Sequence, residues 1–138
     1  MTGDKIFIDT APLIYLVENH PKYIEPISLY LANVISNNGI FVTSVVTIAE
    51  FGIKPKKLKR LDVLTKFNNI VDTLLSVKEI NWDVAEISST LRVRYPALRS
   101  ADSFQLACAL ENKCTTFLTN DRKLKSIKEI EVLLVKDL

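Results

Sequence analysis

Four acidic residues hold positions from which carboxylates could act together: Asp9, Glu50, Asp102 and Asp121. Asp9 directly follows a short apolar run, and Asp121 comes shortly after a second one, whereas Glu50 and Asp102 lie in helical patterns. Converging carboxylates repel one another unless a cation lies between them. Oxygen ligands without a His or Cys partner favour a hard ion. Together the four acids therefore predict a site for Mg²⁺ or Mn²⁺.

Taken singly, three of the four acids also have an ordinary structural explanation. Asp9 suits a turn or a helix cap, although the Thr10 hydroxyl can supply that cap by itself. Asp102 follows the predicted cap Ser100, in a first turn where the helix dipole favours a carboxylate. Asp121 suits an Asx turn. Only the combination of these acids points to chemistry.

Glu50 is harder to explain as an ordinary residue. It interrupts an apolar run over residues 45–53, and we expect the helix formed by that run to be heavily buried. An unpaired charge in such a helix would be expensive. A salt bridge to a nearby Lys or Arg is the alternative to metal binding.

The elements that must position these acids alternate along the chain. Short runs rich in β-branched residues predict five strands, at residues 6–8, 40–42, 77–80, 116–118 and 132–135. Helical patterns fill the intervals: one from Thr10, one opened by Pro21 and closed by Gly39, one near 45–51, one at 57–75, one from Asn81 or Asp83 to Tyr95, and one after Ser100. This alternation predicts an α/β fold with a mainly parallel sheet and ligands beyond the carboxyl ends of its strands.

Composition limits the class of protein. With 138 residues and 48% hydrophobic content, the chain fits a single domain over residues 1–138. A net charge of +2 does not by itself indicate a nucleic-acid binder. No apolar run reaches the roughly 18 residues of a membrane span, and we expect Cys108 and Cys114 to be free thiols. We therefore expect no membrane association and a cytoplasmic location.

Four motifs in this order resemble those of the PIN-domain ribonucleases, and especially the VapC-type toxins of type II toxin–antitoxin systems. The motifs read IFIDT at residues 6–10, TSVVTIAE at 43–50, RSADSFQLA at 99–107 and FLTND at 117–121. The resemblance covers nearly the whole chain. It implies a three-layer α/β/α fold with a central, mainly parallel sheet of about five strands, in which strands one and four are neighbours.

The resemblance also implies residue roles. The four acids would bind the metal and carry catalysis, with support from Thr10, Thr119 and Asn120. Ala11 stands where the family often has a small polar residue, and Ser103 replaces a common Ala. Neither departure removes a metal ligand, so we expect an active enzyme.

The implied reaction is endonucleolytic hydrolysis of RNA by metal-activated water. Asp102 or Glu50 would orient or deprotonate the attacking water, since no histidine accompanies the motifs. The products would then carry a 5′-phosphate and a 3′-hydroxyl, because the 2′-hydroxyl of RNA is not consumed.

Basic residues near the motifs are candidates for contacts to RNA phosphates, although a solvated surface is their commoner role. They are Arg99, Arg122 and a cluster after the Glu50 helix that contains Lys54, Lys56, Lys57, Lys59 and Arg60. Arg92 and Arg94 are weaker candidates. Tyr95 and Trp82 could stack on unpaired bases, or simply pack in the core or an interface.

Alternative functions remain open at this stage. A housekeeping RNA-processing nuclease and a catalytically inactive module that binds RNA or protein both fit a PIN-like fold. A phosphohydrolase with an aspartyl nucleophile is a poorer fit, because the segment after Asp9 lacks a second Asp. The toxin interpretation further predicts a cognate antitoxin and a homodimer. Either could use the apolar stripe near Ile27, Leu31 and Val34 or the one at residues 58–75.

Overall fold

The computed structural model describes residues 3–138 and alternates five strands with six helices over that range. The strands are β1 (Lys5–Ile8), β2 (Ile40–Ser44), β3 (Leu75–Lys78), β4 (Thr116–Thr119) and β5 (Glu131–Leu134). The helices are α1 (Thr10–Val17), α2 (Ile24–Ser36), α3 (Val45–Lys57), α4 (Leu61–Leu74), α5 (Trp82–Arg94) and α6 (Ser100–Glu111). Two 3₁₀ turns complete the chain: Arg122–Ser126 follows β4, and Val135–Asp137 follows β5.

The five strands form one parallel sheet in the order β3-β2-β1-β4-β5. The central strand β1 pairs Phe7 with Val42 of β2 on one side and with Phe117 of β4 on the other. Because all strands are parallel, the carboxyl ends of β1, β2 and β4 meet at one edge of the sheet. The predicted α/β class and the predicted pairing of strands one and four are confirmed.

Helices cover both faces of the sheet, as successive side chains of β1 show. Phe7 points to a core shared with α5 and α6, and its ring stacks on Phe117 with centroids 5.1 Å apart. Ile6 and Ile8 point to the opposite core, which α1 to α4 complete. A strand buried on both faces reads as a continuous apolar run. The three-layer arrangement therefore follows from the pattern at residues 6–8.

The single helix predicted at residues 57–75 is wrong. Helix α3 continues through Pro55 to Lys57, and the chain then turns before α4 begins at Leu61. Lys59 takes a left-handed conformation with φ of 54°, and the Arg60 N–H bonds to the Pro55 carbonyl at 2.8 Å, which closes α3. The apolar spacing runs through this break because Leu58 and Leu61 are apolar although both are exposed, so periodicity alone does not reveal it.

Pro21 and Gly39 do not bound α2 as predicted. The Nδ1 atom of His20 accepts the N–H groups of Lys22 and Tyr23, which keeps this segment in a turn until the helix begins at Ile24. At the other end Asn38, with φ of 62°, takes the left-handed conformation in place of Gly39. Asn tolerates that conformation better than most residues with a Cβ.

The third strand lies two residues earlier than predicted, because Phe41 of β2 pairs with Leu75 of β3. Asn81 caps the next helix by accepting the Val84 N–H at 2.9 Å, which selects Asn81 from the two predicted starts.

Cys108 and Cys114 are both buried free thiols. None of the helices formed within residues 3–138 is long and apolar enough to cross a membrane.

Candidate active site

An open pocket of about 450 Å³ lies at the edge of the sheet where β1 and β4 end. Its lining includes all four acids singled out from the sequence, namely Asp9, Glu50, Asp102 and Asp121, together with Thr10, Arg99, Thr119 and Asn120. We call this the acid pocket. It is the place where a parallel sheet of this kind binds ligands.

Asp9 is held on three sides. Its N–H bonds to the Leu118 carbonyl at 2.9 Å, so the extended conformation of β1 continues through this residue. Its Oδ1 accepts the Thr10 N–H at 2.8 Å, and its Oδ2 accepts the Thr119 hydroxyl at 2.8 Å. Asp9, and not Thr10, therefore caps α1, because the first helical residue comes only after the strand pairing ends.

Burial raises the pKa of the Asp9 carboxyl from 3.8 to about 6, although its two hydrogen bonds act in the opposite direction. The nearby carboxylates of Asp102 and Glu50 make smaller contributions to the same rise in pKa. The folded chain thus holds a carboxylate in a position that disfavours its charge. A bound cation would relieve that cost.

Thr119 links two of the acids. Its hydroxyl donates to Asp9 and accepts the Asp121 N–H at 3.2 Å, so one side chain sets the relative positions of both acidic residues. Asn120 also lines the acid pocket, but its side chain is engaged elsewhere. It donates to the Tyr15 hydroxyl at 3.2 Å and accepts the Lys136 N–H at 3.3 Å, which ties down the loop after β4.

Glu50 is exposed, so the predicted deep burial of its helix is wrong. Helix α3 buries Thr47, Phe51 and Pro55, a stripe with helical spacing, and leaves the apolar Ile53 facing solvent at 68% exposure. A single helix packed on a sheet buries one stripe, whatever the polarity of its other face. Glu50 instead accepts the Thr10 hydroxyl on Oε1 at 2.7 Å, at the rim of the acid pocket.

Asp102 lies in the first turn of α6 and faces Arg99. The Arg99 Nε is 3.2 Å from Asp102 Oδ2; the Asp102 side chain is only 15% exposed, whereas that of Arg99 is 78% exposed. Helix α6 begins one residue earlier than predicted. The Ser103 N–H bonds to the Arg99 carbonyl, so Arg99 is the cap in place of Ser100. Ser100 is therefore the first helical residue.

Asp121 caps the 3₁₀ turn Arg122–Ser126, and its Oδ1 accepts the Lys123 N–H at 3.0 Å. The turn predicted for this residue is thus present, and the residue still lines the acid pocket. Arg122 is exposed and is not part of that lining.

A buried polar network behind the acid pocket was missed in the sequence. Gln105 is 1% exposed; its Oε1 accepts the Ser44 hydroxyl and its Nε2 donates to the Thr47 hydroxyl at 2.7 Å. Thr47 bonds in turn to the Thr43 hydroxyl at 2.8 Å, which also reaches the Ile8 carbonyl. An amide within the apolar stretch of α6 at residues 104–110 was the available signal, because buried polar groups need partners.

The donor set fits a hard cation, although the acids are not gathered into a coordination shell as they stand. Within the described range, no three acidic, His or Cys side chains converge closely enough to enclose an ion. Each carboxylate is instead paired with a hydroxyl, a backbone N–H or, for Asp102, Arg99. Four carboxylates around one open pocket still supply the all-oxygen ligands that Mg²⁺ or Mn²⁺ prefers. In the described structure Arg99 contacts only Oδ2 of Asp102, so Oδ1 is available for such an ion.

The basic cluster at the end of α3 lies outside the acid pocket. Lys54, Lys56 and Lys57 are exposed, and Lys54 approaches Glu18 at 3.9 Å. Arg60 pairs with its neighbour Asp62 at 2.8 Å. Of the basic residues considered from the sequence, Arg99 alone lines the acid pocket within residues 3–138.

Comparison with known proteins agrees with this architecture. The family model described as PIN domain matches residues 6–130. Comparison with curated protein sequences gave no match.

Among solved structures, the fold is similar to VapBC2 from Rickettsia felis, determined bound to a DNA fragment from its promoter. The TM-score is 0.78 at 18% identity, covering 94% of this chain and 98% of that chain. FitAcB from Neisseria gonorrhoeae gives a TM-score of 0.73 at 19% identity, covering 96% and 99%. VapC20 from Mycobacterium tuberculosis, described as a sarcin-ricin loop cleaving toxin, gives 0.70 at 15%, covering 91% and 98%.

The family match covers β2 to β4 and all of β1 but Lys5, stops just before β5, and includes every acid of the pocket. The order of strands, the acids beyond their carboxyl ends and the family model therefore agree. This chain belongs to the PIN domain family.

Proposed function

We propose that this protein is a Mg²⁺-dependent endoribonuclease that hydrolyses RNA phosphodiester bonds, with Mn²⁺ able to replace Mg²⁺. The observation that carries the proposal is the acid pocket, where Asp9 is held with a raised pKa beside the other three acids. A nuclease needs a site that favours a divalent cation and stays open to a long polymer; the lining of four carboxylates supports the first requirement and the open mouth of the pocket supports the second.

In this proposal, Asp9, Asp102 and Asp121 hold the ion and Glu50 completes the set. When bound, Mg²⁺ lowers the pKa of water and withdraws charge from the phosphate. Thr119 orients Asp9 through its hydroxyl, and Thr10 orients Glu50 through Oε1. In the described structure Glu50 Oε2 accepts no hydrogen bond, so it is available to orient the attacking water or take its proton.

The test compares wild type with Asp9→Asn on structured RNAs, with Mg²⁺ and with a chelator. We expect cleavage by wild type only in Mg²⁺, loss of cleavage in the variant, and products with a 5′-phosphate and a 3′-hydroxyl. Asp72→Asn is the matched control, because Asp72 is an exposed acid on α4 outside the acid pocket. Equal cleavage by Asp9→Asn would refute the site, and a cyclic phosphate product would refute the mechanism.

We further propose that this nuclease acts as the toxin of a toxin–antitoxin pair, restrained by a cognate antitoxin, and forms a homodimer. Similar folds occur in VapBC2 and in VapC20. Exposed apolar residues on α3, in the turn after it and at the start of α4 also support a protein interface, because such residues are costly on a free surface. They are Ile48, Ile53, Leu58 and Leu61.

Expression of the chain alone in bacteria should arrest growth, and Asp9→Asn should not. The gene next to this one should encode a short partner that relieves the arrest.

Light scattering should give the mass of two chains, and Ile53→Asp together with Leu61→Asp should reduce it to the mass of one chain. Leu29→Asp is the control, since Leu29 is similarly exposed on α2. Normal growth with the active enzyme would favour a housekeeping nuclease instead.

A further inference from the structure

A second pocket of about 440 Å³ opens next to the acid pocket. One wall is the loop between α5 and α6, at residues 95–99, and the other is the 3₁₀ turn Arg122–Ser126. The two pockets share Arg99, Asp102 and Asp121. Whatever occupies the second pocket therefore lies beside the group that occupies the first. We call it the side pocket.

The side pocket has a larger apolar lining than the acid pocket, to which Ala11, Ile14 and Tyr15 contribute. Leu98, Leu124 and Ile127 contribute to the side pocket and belong to the core beneath α5 and α6. These three side chains are buried, so the apolar surface that a ligand can reach comes from the half-buried Tyr95 and the exposed Pro96 and Ala97. Such a surface favours a ligand with a flat or apolar group, and a free phosphate or metal ion would leave it uncovered.

Tyr95 supplies an aromatic ring to the same pocket and is held in place at its hydroxyl. That hydroxyl donates to Glu129 Oε1 at 2.6 Å and accepts the Lys128 N–H at 3.1 Å. Two hydrogen bonds at the tip of the side chain limit rotation of the ring. A tyrosine held in this way loses little conformational entropy when a planar ligand packs against it.

The rim of the side pocket is charged: Arg94, Arg99 and Lys123 line it together with Asp102 and Asp121. Glu129 pairs with Arg94 at 2.6 Å and Asp102 with Arg99 at 3.2 Å, whereas Lys123 forms no ion pair within residues 3–138. Lys123 and most of Arg99 are exposed to solvent. Cations around an apolar depression suit a ligand that carries a planar apolar group on a negatively charged backbone.

From this arrangement we infer that the side pocket binds one unpaired nucleobase of the RNA, next to the phosphodiester held at the acid pocket. The inference rests on the proposed ribonuclease function and deepens it. The base packs against Tyr95 and the apolar lining, while Lys123 and Arg99 contact flanking phosphates. The volume is within the range of small-molecule sites. The side pocket thereby selects the nucleotide beside the cut.

Filling the side pocket from either wall tests this inference. Ala97→Trp and Ser126→Trp place an indole there from exposed positions, so both variants should fold. We expect cleavage of single-stranded RNA to fall by at least ~10-fold, with altered preference for the base beside the cut. Ala85→Trp, at an exposed position of α5 outside both pockets, should leave rate and preference unchanged.

A binding experiment with the metal-free protein does not depend on turnover. The probes are the four 5′-mononucleotides and ribose 5-phosphate, followed through the methyl NMR signals of Leu98, Leu124 and Ile127. Mononucleotides should shift these signals and bind ~10-fold more tightly than ribose 5-phosphate, as expected where a base stacks. Ala97→Trp should remove that difference, and Tyr95→Phe, which keeps the ring, should retain most of it.

The two experiments separate the inference from the proposed function. If wild type cleaves RNA but both tryptophan variants cleave it equally well and with the same preference, the side pocket does not bind a base, whereas the nuclease proposal stands. If wild type cleaves no RNA, the nuclease proposal fails, and the NMR titration still decides the side pocket. Equal binding of mononucleotides and ribose 5-phosphate, or no shift at the three methyl-bearing residues, overturns the inference and leaves the pocket to a protein partner.

Discussion

The two sides of the acid pocket are built differently. On the sheet side, Asp9 is fixed by its own backbone bond to β4 and by hydrogen bonds from Thr10 and Thr119. On the helix side, Glu50 has one hydroxyl partner and Asp102 one arginine partner. The strand edge thus sets a fixed reference point, and the helices supply carboxylates that can exchange partners. A site assembled in this way can close around a cation without moving the sheet.

The largest expected effect is at the fixed side. Asp9→Asn should lower cleavage by roughly 10³-fold, as loss of a central electrostatic group does in other enzymes. The same change should stabilise the metal-free protein at neutral pH by on the order of 2 kcal/mol, because it removes a carboxylate whose pKa is raised by burial. Differential scanning calorimetry should show a higher Tm for the inactive variant. A lower Tm would show that Asp9 is stabilising in the metal-free fold.

The pH dependence of the Tm difference between Asp9→Asn and wild type follows from the direction of the Asp9 pKa shift. The pKa of Asp9 is about 6 when folded and near 3.8 when unfolded, so the folded state binds the proton more tightly. The contribution of Asp9 to stability is fully present below about pH 4 and is lost as pH rises through 6. The Tm difference between Asp9→Asn and wild type should therefore be small at pH 4 and largest above pH 6.5. Saturating Mg²⁺ should raise the Tm of wild type only.

Thr119 should give the next largest effect, because it orients Asp9 without being charged. Thr119→Val keeps the shape of the side chain but removes its hydrogen bonds to Asp9 and to the Asp121 N–H. Loss of such a supporting group costs roughly 10 to 100-fold in metal affinity or activity. Calorimetric titration with Mn²⁺ would measure the affinity. Thr119→Ser should restore most of it, and failure of the serine variant to do so would point to packing instead.

The smallest expected effect is at the adjustable side. Glu50→Gln should reduce kcat by about 10-fold while KM stays similar; this is less than the roughly 100-fold of a fully positioned general base, because Glu50 is exposed and held by a single hydroxyl. Because Glu50 is exposed, the free energy of unfolding should change by less than about 0.5 kcal/mol. Chemical denaturation of wild type and variant measures this directly. A loss of stability as large as that of a buried charge would contradict the exposed position of Glu50.

The rule that a buried polar side chain needs partners holds for Gln105 and not for Glu50. The apolar residues around Glu50 predict that its side chain is buried and partnered, and this prediction is wrong. Gln105 is the residue that meets the description, with 1% exposure and partners on Ser44 and Thr47. Glu50 is exposed because it lies on the face of α3 that points away from the sheet. Which stripe of a helix is buried depends on the surface it packs against, and local composition does not contain that surface.

The strand runs, the α/β class, the pairing of strands one and four and the identity of the four acids could be read from the chain alone. Alternation and β-branching are local properties, and a parallel sheet places the ends of its strands together. Helix boundaries were less accessible: Asp9 replaced Thr10 as a cap because pairing with Leu118 extends β1 by one residue. Only the tertiary structure decided which acid is held rigidly, which is exposed and which pairs with Arg99. It also created the side pocket, because residues 95–99 and 122–126 meet only when α6 and β4 have packed.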